Sequence, residues 1–364
     1  MTESFKAEWD NFCDGLKEAG NIITNEDDLD ERTQAEGHRY LIRLLRLALE
    51  MNLEHSNIQE PSFYSLSHET AKIGADNPDN VYLNANISGA KKYRLFGNIN
   101  EVNYLSFGVK ENKYSIDGTM VSHGEIDSKD LLIDQHGNFQ ITLGSAATST
   151  NHLHLPESAN MLIVRQTYLD RLQQKHADIH IELVNENPKP KALTYLDLKN
   201  QLAQSLLFVT GTAKTFINWT REFQSNHFNA LPLGDQAFFQ AAGGDPNIYY
   251  LHGYYNFKST ECMEIRTSIP DCDYWNFQLE NFWMESLDYR HYPIHINGSN
   301  AVIEDNELII RVTHHSINAL NNLITEGRQE GAMLLRWVGA SDCPIPKVAI
   351  KSITDIEARN AQPK

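Results

Sequence analysis

Asn103-Tyr104-Leu105-Ser106-Phe107 and Asp273-Tyr274-Trp275-Asn276-Phe277 are two writings of one short strand, and their likeness decides how the chain is read. In the first, Leu105, Phe107 and Val109 alternate with Ser106 and Gly108; in the second, Trp275, Phe277 and Leu279 alternate with Asn276 and Gln278. A period of two places the apolar set on one sheet face and the small or polar set on the other. Four more pairs follow in the same order. Asn77-Pro78-Asp79-Asn80-Val81-Tyr82 resembles Asp245-Pro246-Asn247-Ile248-Tyr249, with Tyr82 answering to Tyr249. Gly137-Asn138-Phe139-Gln140-Ile141 answers to Asp305-Asn306-Glu307-Leu308-Ile309, and Asn151-His152-Leu153 to Asn321-Asn322-Leu323. Met161-Leu162-Ile163-Val164-Arg165 answers to Ala332-Met333-Leu334-Leu335-Arg336. Five matches in order, at nearly constant separation, imply one structural unit present twice.

Runs rich in β-branched and aromatic residues, bounded by Gly, Asn and Asp, predict about seven short strands in each copy. Asp134-Gln135-His136-Gly137-Asn138 and Glu304-Asp305-Asn306 stand where hairpin turns belong. The expected fold is mainly β with helical additions: two duplicated, jelly-roll-like β-sandwiches with helices at the N-terminus and between the copies. The expected divisions are a helical segment over 1–71, a first sandwich over 72–185, a linker with helices over 186–239, a second sandwich over 240–350 and a tail over 351–364. Leu41, Leu44, Leu45, Ala48 and Met51 make one stripe of a helix within residues 28–53. Glu186-Asn187-Pro188-Lys189-Pro190-Lys191 reads as the linker. Leu198, Leu202, Leu206, Val209, Ala213 and Phe216 then follow at helical spacing, and a short helix over 235–242 stops at Gly243-Gly244.

At 364 residues the chain is longer than one core usually fills, in keeping with two sandwiches. No apolar run reaches the ~18 residues of a membrane span, and the charged start Met1-Thr2-Glu3-Ser4-Phe5-Lys6 lacks a secretory core, so a cytoplasmic protein off the membrane is expected. Lys and Arg total 31 against 48 Asp and Glu, a net charge of −17 that repels phosphate backbones and argues against nucleic acid as a partner. The four cysteines form no CxxC pair, which fits a reducing compartment. A small-molecule ligand is the expected partner, and assembly into a homo-oligomer stays open.

In the second copy, Ala241-Ala242-Gly243-Gly244-Asp245-Pro246-Asn247-Ile248-Tyr249, the run from Tyr274 to Arg290 and Met333-Leu334-Leu335-Arg336-Trp337 resemble the domain-of-unknown-function 1214 family. The first copy, through Asn77 to Tyr82, is similar to the 1254 domain that often precedes it. The resemblance covers about 36–347 and implies two jelly-roll-like sandwiches with helical additions. It implies no mechanism.

Chemistry is densest between Tyr274 and His295. Aromatic faces beside carboxylates and an arginine suit a pocket that stacks on a ring and fixes polar groups by hydrogen bonds. The leading reading is a small-molecule enzyme acting on an apolar or ring-bearing hydroxylated substrate. In it Trp275, Trp283 and Tyr289 hold the ring, Asn276 and Arg290 orient polar groups, and Glu285, Asp288 or His291 move protons. Asn80, Tyr82 and His252 join them as binding residues. Two plainer readings stand beside it: Trp275, Phe277 and Leu279 as core, and the charges as a solvated face. The runner-up function is a non-catalytic module for a carbohydrate or lipid-like ligand.

The 15 histidines raise the question of a metal. His152-Leu153-His154, with Glu157 near, sets two imidazoles on one strand face without a fixed third ligand, so no metal is expected, and no motif implies a cofactor. No GxSxG, HExxH, phosphate loop or GxGxxG occurs. Cys262 and Cys272 flank a turn and read as packing residues, with a cross-strand pairing between them open. Arg165 and Arg336, at equivalent strand positions, read as a shared structural ion pair.

Overall fold

The computed structural model describes residues 2–147, 149–184 and 192–360. The expected linker at 186–191 lies outside these residues. Among the described residues the protein is mainly β, with four sheets, five α-helices and one π-helical turn, and it divides into two compact units.

The first unit comprises residues up to Ala71, Asp79–Thr215 and Gln240–Gly243. It begins with helix α1 (Thr2–Thr24) and helix α2 (Glu31–Leu49). Asp30 caps α2, its side chain accepting from Thr33 N at 2.7 Å, and Tyr40, Leu44, Leu47 and Ala48 form its buried stripe. The helix runs on as a π-helical turn at Glu50–Glu54. Eight strands follow: β1 (Asn80–Asn86), β2 (Tyr93–Asn98), β3 (Tyr104–Lys113), β4 (Thr119–Asp127), β5 (Asn138–Gly144), β6 (His152–His154), β7 (Met161–Thr167) and β8 (Asp178–Leu183). They form two sheets in the orders β1-β7-β3-β4 and β6-β5-β2-β8. Leu105, Phe107, Val109, Leu162 and Val164 of one sheet meet Tyr93, Leu95, Ile141 and Leu143 of the other in a single buried core.

Helix α3 (Tyr195–Asn226) starts with a reciprocal cap, Asp197 N donating to Thr194 Oγ1 at 3.1 Å and Thr194 N to Asp197 Oδ2 at 3.1 Å. Its residues to Thr215 group with the first unit and those from Phe216 with the second. Helix α4 (Gln236–Ala241) ends at Gly243, whose φ of 97° is open to glycine at little cost.

The second unit takes Lys72–Pro78, Phe216–Phe239 and Gly244 onward. Its strands are β9 (Ile248–Asn256), β10 (Glu261–Thr267), β11 (Tyr274–Leu279), β12 (His295–Asn297), β13 (Ile303–Glu304), β14 (Glu307–Thr313), β15 (Asn322–Ile324), β16 (Glu330–Val338) and β17 (Lys347–Ser352), before helix α5 (Ile353–Asn360). The sheets run β9-β16-β11-β12 and β13-β14-β10-β17, with β15 also on β14. Trp275, Phe277, Leu279, Met333, Leu335 and Trp337 pack against Met263, Ile265, Leu308, Ile310 and Val312. The β13–β14 hairpin turns on Asp305 and Asn306 at φ 49° and 67°, the left-handed pair that a two-residue hairpin demands.

Both units share one strand order. β1-β7-β3-β4 corresponds to β9-β16-β11-β12, and β6-β5-β2-β8 to β15-β14-β10-β17, with β5–β6 and β14–β15 both parallel. In the first unit Tyr82, Arg165, Ser106 and Asp127 stand abreast across four strands; in the second Tyr250, Arg336, Asn276 and Asn297 do. The partner of Tyr82 is therefore Tyr250, one residue beyond the expected Tyr249. Phe139 likewise corresponds to Leu308, each bridging an isoleucine, Ile133 or Ile303. Matching residue types ignores the pleat, whereas a one-residue slip would turn each side chain to the opposite face.

Two expected boundaries also move. Helices α1 and α2 group with the first sandwich, and Lys72–Pro78, expected to open that sandwich, groups with the second. Cys262 lies across from Lys351, not Cys272, and all four cysteines are free. Truncating the two equivalent core phenylalanines by Phe107→Ala and Phe277→Ala is expected to cost about 3–5 kcal/mol each in urea unfolding, because both are fully buried between their sheets. A loss below about 1 kcal/mol at either would contradict this core assignment.

Candidate functional site

The pleat that sends Trp275, Phe277 and Leu279 into the second core sends Asn276, Gln278 and Glu280 to the other side of β11. That face is not solvated: Asn276, Gln278 and Glu280 are all fully buried. Polar groups without water must bond one another. Arg336 Nη1, from the adjoining β16, donates to Gln278 Oε1 at 2.6 Å and to Asn276 Oδ1 at 3.3 Å, and its Nη2 donates to the Ala75 carbonyl. Asn276 Nδ2 donates to Asn77 Oδ1 at 3.1 Å, and Asn77 Nδ2 to Tyr274 Oη at 3.2 Å. Gln278 Nε2 donates to the Asp76 carbonyl at 2.8 Å and to Glu280 Oε1 at 2.9 Å.

The Lys72–Pro78 segment closes this row, and its backbone is bent to do so. Ala75 has φ 60°, an unfavourable left-handed value for alanine, which aims its carbonyl at Arg336 while its N–H donates to the Met284 carbonyl at 2.8 Å. Asp76 accepts from Ser286 N at 3.0 Å and Ser286 Oγ at 2.9 Å. Lys72 Nζ donates to the Leu287 carbonyl at 2.8 Å and sits 4.5 Å from the Tyr289 ring centroid.

One oxygen of the row is left over. Glu280 Oε2 is buried and has no hydrogen-bond partner. Burial is the largest influence on this carboxyl, raising its pKa to about 8; the Asp76 charge pushes the same way, while Arg336 and the Gln278 bond oppose it. At neutral pH the group is a carboxylic acid. On β9 of the same sheet, His252 is 3% exposed and its Nδ1 also lacks a partner. Its pKa lies well below the usual imidazole range, through burial first and then the charges of Arg336 and His227, so it is neutral. Its ring stacks on Phe223 at 4.8 Å and 11°, with Phe239 at 4.7 Å, Trp219 at 5.7 Å and Tyr250 at 6.2 Å completing an aromatic cage.

Of the residues singled out in the sequence, Asn276 and His252 lie on this one sheet face. Trp275 belongs to the core between the sheets and Trp283 is fully buried against Phe282 at 5.0 Å. Tyr289 is half-buried under Lys72. Glu285 is 1% exposed and its Oε2 accepts from Asn281 Nδ2 at 2.9 Å within a tight turn. Asp288 and Arg290 form a two-point pair, both bonds at 2.8 Å, and that pairing holds the Asp288 carboxyl down at about 2. It is a carboxylate near neutrality and carries no proton to give. His291 is exposed. Asn80 and Tyr82 belong to the first unit, where Asn80 is 7% exposed with a partnerless Oδ1.

Sequence reasoning gave no binding or proton-transfer role to Glu280, Arg336 and Asp76 of the polar row, or to the cage of Trp219, Phe223 and Phe239. Glu280 was within reach, because the alternation through Asn276 and Gln278 continues to it. The cage was not, since it joins β9 to α3 and α4. Arg336 is no ion-pair partner: its bonds go to neutral oxygens, whereas Arg165 Nη1 lies 4.0 Å from Glu125 Oε2. Among the described residues no group of three His, Cys, Asp or Glu is placed to hold a metal ion. None of their helices is long and apolar enough to cross a membrane.

A two-part, sheet-rich protein with a buried polar row is the class these features define. No protein-family model matches the chain, and no curated protein does. Among solved structures, that of an uncharacterized protein from Burkholderia cenocepacia is similar at a TM-score of 0.94 and 40% identity, over 98% of this chain and 100% of that one. The chain belongs to the family of that protein. A protein from Vibrio parahaemolyticus matches at a TM-score of 0.49 with 11% identity, over 86% of this chain and 98% of that one.

The proton on Glu280 makes stability depend on pH. With a pKa raised from 4.5 to about 8, the folded state keeps a proton the unfolded chain gives up. Its stabilising share is full below about 4.5 and is lost as pH climbs through about 8. Neutral His252 contributes with the opposite sign below its ordinary 6.5, so the comparison must isolate Glu280. Relative to wild type, Glu280→Gln is expected to gain a few kcal/mol of unfolding free energy between pH 5 and 8.5 in urea titrations. A pH-independent difference would show that Glu280 is not protonated in the native protein.

Proposed function

We propose that the second unit is a small-molecule enzyme site, in which Glu280 transfers a proton to or from an apolar or ring-bearing hydroxylated substrate. The observation that carries this reading is the partnerless, buried Oε2 of Glu280 on a carboxyl with pKa about 8. A group titrating near neutrality is matched to general acid–base work, and strongly shifted carboxyls concentrate at functional sites. Arg336 sets a permanent positive charge on the same sheet face, which favours a polar or developing anionic oxygen beside it. The aromatic rings around His252 suit the apolar part of the substrate. The proton-transfer role passes from Glu285, Asp288 and His291 to Glu280, since Glu285 is bonded to Asn281, Asp288 is held as a carboxylate and His291 is exposed. A non-catalytic binding module would need no proton held near neutrality.

The shared strand order and the paired rows through Arg165 and Arg336 support descent of both sandwiches from one copied, jelly-roll-like unit. The motif likeness to the domain-of-unknown-function 1214 and 1254 families supports the same reading. Four free cysteines accord with a cytoplasmic location.

Wild type and Glu280→Gln are to be incubated with a panel of ring-bearing hydroxylated metabolites, and products followed by mass spectrometry. The expected result is turnover of at least one compound that the variant slows by about 10²–10⁴-fold, with the folded fraction unchanged. Equal rates in the two proteins would remove Glu280 from the chemistry.

A further inference from the structure

The first unit holds a cavity of about 350 Å³, in the size range of small-molecule sites and separate from the polar row of the second unit. No ionisable side chain lines it. Its polar lining consists of side-chain amides and hydroxyls, and its apolar lining includes Met51, Ile87 and Phe208. In a chain with 22% charged residues, a cavity wall free of charge selects its occupant: a charged ligand would lose water and find no counter-charge there.

The wall is built in two tiers. The inner amides are already engaged. Asn86 Nδ2 donates to the Met51 carbonyl at 2.9 Å and the His55 carbonyl at 3.1 Å, and Asn160 pairs with the Asn112 backbone at 2.8 and 3.1 Å. The outer amides are not. Asn200 and Gln204, one turn apart on α3, both line the cavity and have no hydrogen-bond partner among the described residues. Asn52, within the π-helical turn, gives one amide hydrogen to Ser205 Oγ at 3.3 Å. Isolated π-turns inside helices occur often at functional sites, and this one places both Met51 and Asn52 in the lining.

A carboxamide offers donors and acceptors together, the pattern a hydroxyl group answers with its own donor and two lone pairs. We propose that this cavity binds a neutral, polyhydroxylated small molecule of the sugar or cyclitol class, with Asn52, Asn200 and Gln204 bonding its hydroxyls and Met51, Ile87 and Phe208 covering its carbon face. The site and its ligand stand independently of the chemistry assigned to Glu280.

The test is calorimetric titration of the full chain with glucose, N-acetylglucosamine and myo-inositol, and with their charged counterparts glucuronate, glucose 6-phosphate and inositol hexakisphosphate. At least one neutral compound is expected to bind, and its charged counterpart at least tenfold more weakly. Gln204→Ala and Asn200→Ala, at exposed positions of α3, are each expected to weaken that binding about tenfold without lowering the unliganded melting temperature. Glu280→Gln should bind as wild type does. Failure of all three neutral compounds to bind, preference for the charged ones, or binding unaffected by both α3 variants would overturn the proposal.

Discussion

Arg336 is a permanent charge almost wholly withdrawn from water, and every hydrogen bond it makes goes to a neutral oxygen. Desolvating a guanidinium costs several kcal/mol, so its surroundings must hold oxygens in place. The surrounding second unit is arranged to meet that demand. Asn276 and Gln278 turn their carbonyls toward it, and the Lys72–Pro78 segment accepts an unfavourable φ at Ala75 to bring one more. The same segment then binds Ser286 through Asp76, which fixes the turn after β11. With the amides committed to Arg336, Glu280 receives one hydrogen bond, keeps a bare oxygen and stays protonated near neutrality.

The first unit solves the equivalent problem in another way. By strand register, Lys110 occupies the place of Glu280 and Glu125 that of His295. Lys110, fully buried, forms an ion pair with Glu125, which also lies 4.0 Å from Arg165. Opposite charges there neutralise each other inside the fold. In the second unit a carboxyl stands where the first has its lysine, amides of Asn276 and Gln278 share its face, and neutralisation comes from a proton. One scaffold thus supports a closed ion pair in one half and a titratable acid in the other.

The architecture was legible because it rests on a period of two. Leu105, Phe107 and Val109, like Trp275, Phe277 and Leu279, mark a buried face whatever surrounds them, and Asp305-Asn306 mark a turn by their tolerance of positive φ. The same alternation picked out Asn276. It did not distinguish a solvated polar face from a buried one, because that depends on Lys72–Pro78 and on the α3 residues from Phe216, segments distant in sequence. Glu285, Asp288 and His291 drew attention by density alone. Their roles are set by partners such as Asn281 and Arg290, which composition cannot assign. The one-residue offsets at Tyr249 and Ile309 have a similar origin: likeness of type does not record which way a side chain faces.

The protonation state of Glu280 can be observed directly. Infrared difference spectra of the folded protein, recorded across pH 4 to 10 and compared with Glu280→Gln, isolate its carboxyl stretch. The structure predicts a protonated-acid band that persists through neutrality and disappears with a midpoint near 8. A Glu280 band already lost below pH 5 would show an ionised carboxylate in the buried row, and the account of a proton held there would fail.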